Sequence, residues 1–354
     1  VLGNPPAAGF TGPSLAWVQD EEPEAFARTR RVRLAKDHLR AWLVGDDATD
    51  PSDASATLLF DPFRRAWASE ACRALGLNDR LLPPVRPSNA VAGTLTAQAS
   101  EALGLPRSVP VVTGAGDQAA AAMGVGLTDP GTMLVTIGSG GQAFAPLRAP
   151  RADPKLRVHL FVHAAHDRWH LEGAVQNVGL ALDWARSRLA MTWDQLYDAA
   201  ASGPAGAEGA TFVPYLTGER TPWFDPSLRA DWVGLSLSHD RQHLARAAIE
   251  GTTFALVEAI VACREAGADV DRTVLTGGGA ESALTRSIVA DLLNAQVHRA
   301  EVRDASARGA AVLAGAPAAA LRPTQAESPG PDADAHRDAF ARYRAHTRPS
   351  QART

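Results

Sequence analysis

Residues 109–123 read VPVVTGAGDQAAAAM, and residues 132–145 follow with TMLVTIGSGGQAFA. The first stretch is a short β-branched run, Val109–Thr113, broken by Gly114 and Gly116 and continued by an alanine-rich segment from Gln118 to Met123. That order predicts strand, tight glycine turn, helix. The second predicts a β-hairpin, with a strand over Thr132–Ile137, a tip Gly138-Ser139-Gly140-Gly141 and a return over Gln142–Ala145. A third stretch repeats the first design: strand Thr273–Thr276, the triplet Gly277-Gly278-Gly279, and a helix over Leu284–Leu293. Strands alternating with helices, with glycines where strands end, indicate an α/β fold. In such sheets ligands sit beyond the carboxyl ends of the strands, which is where these turns fall.

Upstream, the chain reads as helical around Leu15–Val18, Glu24–Ala27 and Val32–Val44. A polar turn (Asp46–Ser55), an apolar run (Thr57–Phe60) and a helix over 94–104 ending near Gly104 follow. Downstream, the pattern predicts a strand over Trp169–Glu172, a helix over Val175–Leu189 and an extended loop from Phe212 through Pro226. A long helix runs from His243 to Ala266, with Ile249, Leu256, Ile260 and Cys263 on one face. A strand over Val297–Val302 and a helix over Ala307–Ala314 come next, and a polar tail carries a late helix around Ala335–Tyr343.

The length of 354 residues allows two domains, and a net charge of −4 argues against a nucleic-acid partner. Cys72 and Cys263 are far apart, with no CxxC and no His cluster, which excludes a disulfide framework and a zinc signature. There is no long apolar run and no basic-then-apolar leader, so a cytoplasmic enzyme without a membrane partner is expected. The GxxxxGK[ST] loop, the protein-kinase motif set and GxSxG are all absent from the sequence.

The chemistry concentrates in the three turns. Glycine permits the positive φ of an anion nest, so Gly138–Gly141 is a candidate phosphate cradle. Gly277-Gly278-Gly279, read as lying between a strand and a helix N-terminus, is a candidate for close approach to a nucleotide. Asp117, at a helix start, reads either as a helix cap or as the fixed carboxylate that a kinase needs to accept a hydroxyl proton. His163 and His166 read as structural.

Several longer motifs carry a resemblance. Gly9-Phe10-Thr11-Gly12-Pro13-Ser14-Leu15-Ala16-Trp17-Val18-Gln19-Asp20-Glu21 departs from a known signature only at Ser14, where lysine is usual. Asp50-Pro51-Ser52-Asp53-Ala54-Ser55 with Leu58-Leu59, Pro214-Tyr215-Leu216 with Gly218-Glu219-Arg220-Thr221-Pro222, and Ala230-Asp231-Trp232-Val233-Gly234-Leu235 with His243-Leu244 and Ala247-Ala248-Ile249-Glu250 complete the set. Taken together, they make the chain resemble the FGGY family of carbohydrate kinases from about residue 3 to residue 320, and most closely its members acting on D-xylulose.

The resemblance implies an actin-like, ribonuclease-H-like two-domain sugar kinase fold with the first domain incomplete. Residues 1–127 would be the remnant of the sugar-binding domain, 128–325 the ATP-binding domain and 326–354 the tail. It implies Asp117 as general base and, with Gln118, as a sugar contact. It implies Gly138, Ser139, Gly140 and Gly141 on the β- and γ-phosphates, and Gly277, Gly278, Gly279 and Ala280 against the adenosine. Glu219 and Arg220 would brace their loop, with direct ligand contact as the alternative. ATP and Mg²⁺ are the implied cofactors, no metal ligand is assigned within the sequence, and a homodimer is an open assembly. The family's opening strands, with an Asp-x-Gly-Thr phosphate loop, have no counterpart before Val1, so these 354 residues alone are expected not to be a competent kinase. Rival readings are another family substrate (ribulose, gluconate or glycerol) or a non-catalytic nucleotide-binding remnant.

Overall fold

A computed structural model describes residues 2–347, so the last part of the 326–354 tail lies outside the described residues. Packing divides the chain into two compact units, neither contiguous in sequence. The first takes residues 1–130, 146–171 and 302–321; the second takes 131–145, 172–301 and 322–354.

In the first unit, the helices Thr11–Glu21, Pro23–Arg28 and Ala35–Val44 follow the expected helical segments, while Val32–Leu34 lies outside the helix. The short helix Pro51–Ser55 starts from Asp50, whose carboxylate accepts the N–H of Ser52 and of Asp53. Such a cap satisfies amides that the first helical turn leaves without partners. Thr96 caps Ala97–Leu103 in the same way, and Gly104 ends that helix at φ +65°. Leu59, Cys72, Leu77 and Leu82 form an apolar cluster beneath these elements. Strand Pro110–Val112 pairs antiparallel with Val91–Thr94 and leads through Gly114 (φ +86°) into helix Asp117–Gly124.

That helix lies against Ala305–Leu313, almost backbone to backbone. A Cβ on Gly309 would fall 1.7 Å from the Ala120 carbonyl oxygen, and one on Gly124 would fall 2.2 Å from that of Ala305. Neither position has room for a side chain.

The second unit is built on a mixed sheet with strands in the order Gln325–Glu327, Val297–Arg299, Val270–Thr276, Gly131–Ile137, Gly141–Leu147 and Trp169–Val175. Val270–Thr276 is parallel to both Gly131–Ile137 and Val297–Arg299, whereas Gly131–Ile137 and Gly141–Leu147 form the expected antiparallel hairpin. The outer ends of the last two strands, from Pro146 and up to Leu171, group with the first unit, where His159–Val162 flanks Trp169–Leu171.

Helix Arg241–Glu265 was expected to bury one face; it is buried around nearly its whole circumference. Its polar members are neutralised in place, with Arg246 Nε donating to Glu250 Oε1 at 2.7 Å. Helix Ala333–Thr347 docks in the same unit through buried polar groups. Tyr343 meets Tyr215 hydroxyl to hydroxyl at 2.7 Å, and His336 lies between Asp291 (2.6 Å) and Arg246 (2.7 Å). Among the described residues no helix is long and apolar enough to cross a membrane.

Candidate active site

Asp117 is the first residue of its helix, follows Gly116 at the N-cap, and is exposed. Its Oδ1 accepts the Gln118 N–H at 2.7 Å, so the carboxylate is turned back on its own helix start, where the dipole favours negative charge. Gln118 is half-buried beside it. Ser306 Oγ donates to the Asp117 carbonyl at 3.1 Å. The turn rests on a polar layer: the Gly116 N–H donates to Ser52 Oγ at 3.0 Å, and Ser52 and Ser88 hydroxyls both donate to Asp50 Oδ2.

Next to that layer stands an ionic cluster that the motif reading did not single out. Lys36 Nζ lies 2.6 Å from Asp37 Oδ1, 3.2 Å from Asp50 Oδ1 and 3.5 Å from Asp53 Oδ2. Burial pulls the Lys36 ammonium down, but Asp50, Asp53 and Asp37 outweigh it and hold it above the usual lysine range. Burial pushes the Asp53 carboxyl up to about 6, with Lys36 opposing and Asp50 and Asp37 adding. Arg40 ties the cluster to the strand end by donating to Asp37 Oδ1 and the Thr113 carbonyl, each at 2.7 Å. The only sequence signal was the Asp50–Ser55 motif; Lys36 lies in a different helix.

The hairpin tip is arranged differently from the expected nest. Gly138, Gly140 and Gly141 are all outside the left-handed region, so positive φ is not what requires glycine there. Close approach is. A Cβ on Gly140 would lie 2.6 Å from the Val175 carbonyl oxygen, and one on Gly141 2.7 Å from Leu256 Cδ1. The N–H groups of Gly179 and Leu180, at the start of helix Gly179–Arg188, donate to the carbonyls of Gly138 and Ser139 at 3.1 and 2.8 Å. The expected helix start at Val175 is displaced to Gly179 because Val175 ends the strand Trp169–Val175 and the N–H groups of Gln176 and Asn177 donate to Glu219.

At 277–280, the expected helix N-terminus is also displaced. A 3₁₀ turn, Gly278–Glu281, intervenes, and Ser282 caps the α-helix Ala283–Leu293 by accepting the Thr285 N–H. Gly277 (φ +88°) and Gly279 are glycines for packing, since their Cβ atoms would meet Ile137 O at 2.5 Å and Ile137 Cγ2 at 2.3 Å. Gly278 alone faces open space. Ala280 is buried, and Arg286 Nη1 donates to its carbonyl and to that of Glu281, fixing the turn.

These two turns are brought together. Thr136 and Thr276 are opposite each other in parallel neighbouring strands, so both glycine turns leave the carboxyl ends of adjacent strands. A cleft of about 470 Å³ opens over the hairpin, lined by Gly138–Gly141 with Gln142, Gln176, Thr217 and Arg220 among others. Asp117 and Gln118 belong to the first unit, and the two glycine turns to the second.

Glu219 and Arg220 divide in role. Glu219 is buried and accepts N–H groups from Gln176 (2.6 Å), Arg220 (2.8 Å) and Asn177, so it braces the strand–helix junction behind the cleft. Burial pushes its carboxyl up against the pull of those donors. Arg220 is exposed and lines the cleft. His163 is buried, accepts the Ala165 N–H on Nδ1 and contacts the Leu127 carbonyl through Nε2; burial lowers its pKa to about 3, which keeps it neutral. Among the described residues no group of three or more His, Cys, Asp or Glu side chains is arranged to hold a metal ion.

The sequence profile of the FGGY family of carbohydrate kinases, N-terminal domain, matches residues 1–124, and that of the family's C-terminal domain matches residues 133–318. The xylulose kinase of Bacillus subtilis (strain 168) is 36% identical over 308 residues, covering 86% of this chain and 62% of the relative. That of Escherichia coli (strain K12) is 36% identical over 298 residues, covering 84% and 61%. The crystal structure of a xyloylose kinase from Brucella ovis matches with a TM-score of 0.90 at 34% identity, covering 98% of this chain and 74% of that one. The chain thus spans about 62% of the length of the curated relatives it matches.

Proposed function

The chain belongs to the FGGY family of carbohydrate kinases, and from that premise we propose that it serves ATP-dependent phosphorylation of a sugar hydroxyl, D-xylulose to D-xylulose 5-phosphate, in the cytoplasm. One observation carries the reading: two glycine turns leave the carboxyl ends of neighbouring parallel strands, and a cleft opens over one of them. That is where α/β sheets take their ligands. The choice of D-xylulose follows the relatives' substrate.

In this reading Asp117 is the general base. The sugar hydroxyl gives its proton to the carboxylate as its oxygen bonds to the γ-phosphorus, and the bond to the ADP oxygen breaks, leaving its electron pair on ADP. The Gln118 N–H, donating to Oδ1 at 2.7 Å, holds the carboxylate at the helix start. The hairpin cleft takes the phosphate chain, and Gly278 gives the backbone an unobstructed face toward the adenosine. Mg²⁺ carried by the nucleotide would offset the negative charge of its phosphates. The domain assignment, 1–127 for sugar and 128–325 for ATP, belongs to the same proposal.

The test joins this chain to the segment of a relative that it does not span and follows ADP release with MgATP. D-xylulose is expected to give the highest kcat/KM among D-xylulose, ribulose, gluconate and glycerol. Asp117→Asn should lower kcat about 10²- to 10⁴-fold while leaving ADP affinity unchanged. Near-normal turnover in that variant removes Asp117 from the role. A higher kcat/KM with another substrate replaces D-xylulose.

A further inference from the structure

The motif Gly218-Glu219-Arg220-Thr221-Pro222 places two charged residues side by side, and the structure gives them opposite surroundings. Glu219, 2% exposed, is committed to the backbone amides of Gln176, Asn177 and Arg220. The Arg220 main chain is fixed at both ends. Its N–H donates to Glu219 Oε1 at 2.8 Å, and its carbonyl accepts the N–H groups of Trp223 and Phe224, each at 2.6 Å.

Its guanidinium is in no hydrogen bond or ion pair with any described residue. Arg220 is also the one ionisable residue lining the cleft over Gly138–Gly141, whose other polar lining groups (Thr136, Ser139, Gln142, Gln176 and Thr217) are neutral. A cation on a fixed backbone, with no internal counter-charge and facing a glycine-walled cleft, is suited to an anionic ligand. A guanidinium presents a planar fork that binds two phosphate oxygens at once.

We propose that Arg220 is the anion clamp of this cleft and that it holds the terminal phosphates of a nucleoside polyphosphate. The proposal rests on the phosphoryl-transfer reading above and adds a specific charge partner to it. Glycine turns offer only amide dipoles to a polyphosphate, whereas Arg220 supplies a full positive charge. Glu219, by locking the backbone on which Arg220 stands, is its positioning residue.

Calorimetric titration of this chain with ADP, adenosine and inorganic tripolyphosphate tests the proposal in wild type, Arg220→Gln and Arg220→Lys. The side chain is exposed and makes no internal bond, so all three should share one thermal midpoint. Arg220→Gln should weaken ADP and tripolyphosphate about ten- to hundredfold and leave adenosine unchanged. Lysine should recover only part of the loss, because a point charge lacks the fork. The ADP affinity of the wild type should fall with added salt more steeply than that of the glutamine variant. Equal ADP binding by wild type and Arg220→Gln overturns the clamp and leaves the nucleotide reading standing. An equal loss for adenosine and ADP also overturns it, by making Arg220 a wall of the cleft. Failure of the wild type to bind either ADP or tripolyphosphate overturns the clamp and the assignment of this cleft to the phosphates.

Discussion

The turn at 114–118 and the hairpin tip at 138–141 are each built around glycine, but different forces hold them. Beneath the first lie Lys36, Asp37, Asp50 and Asp53, within 3.5 Å of one another through the lysine, with a serine hydroxyl joining them to the Gly116 amide. The second is fixed by carbonyls accepting from Gly179 and Leu180 and by the approach of Gly140 to Val175. The first turn should therefore respond to protonation. The second should ignore pH and fail on the addition of one methyl group.

The largest effect is expected at the hairpin. Gly140→Ala puts a Cβ 2.6 Å from a backbone oxygen that has no rotamer to escape into. The cost should be about 3 kcal/mol, near the top of the usual range for overpacking. Urea unfolding at pH 6 and pH 8 should show the same loss at both. An unchanged midpoint, or a loss that varies with pH, breaks the distinction.

Asp53→Asn should have a smaller effect, of opposite sign and dependent on pH. Because the folded pKa is raised from 3.8 to about 6, the native state holds the proton more tightly than the unfolded chain. Asp53 then costs nothing below about pH 4, costs progressively more as pH rises to about 6, and carries its full penalty above that. Asparagine should raise stability at pH 7.5 by on the order of 1–2 kcal/mol and make little difference at pH 4. Thermal melts across that range measure it, and a gain confined to acid pH would reverse the sign and refute the account.

The smallest effect on stability belongs to Gly278→Val. Beyond its neighbours along the chain, no heavy atom of the described residues lies within 4 Å of the Cβ position, so the melting curve should stay within about 0.5 kcal/mol of wild type. ADP binding should nevertheless be lost, because the branched side chain fills the face proposed for the nucleotide. Equal ADP affinity in the two proteins would leave Gly278 a turn residue and nothing more.

The hairpin, the strand–turn–helix around Asp117 and the long helix were legible because periodicity and glycine punctuation are local signals. What glycine was for was not legible. Gly138, Gly140 and Gly141 suggested positive φ, but the demand at 140 and 141 comes from Val175 and Leu256, segments a local pattern cannot bring near. The 277–279 triplet was read against a helix N-terminus, and the intervening 3₁₀ turn is set by Arg286 reaching back to two carbonyls. The late helix reads as part of a polar tail, since its buried residues, His336, Ala339, Tyr343 and Thr347, make no aliphatic stripe. Glu219 and Arg220 look equivalent as a charged pair, and only burial separates the brace from the side chain in the cleft.

The glycine contact between the helices Asp117–Gly124 and Ala305–Leu313 also has a consequence for biosynthesis. Ser306 and Asp117, which it brings to 3.1 Å, are 189 residues apart. On a ribosome adding about 5–20 residues per second, the Asp117 helix must wait roughly 10–40 seconds for its neighbour to be made. Throughout that interval the small-residue face around Ala120 and Gly124 has left the exit tunnel without its cover. That face stays open to water until Gly309 is delivered and covers it.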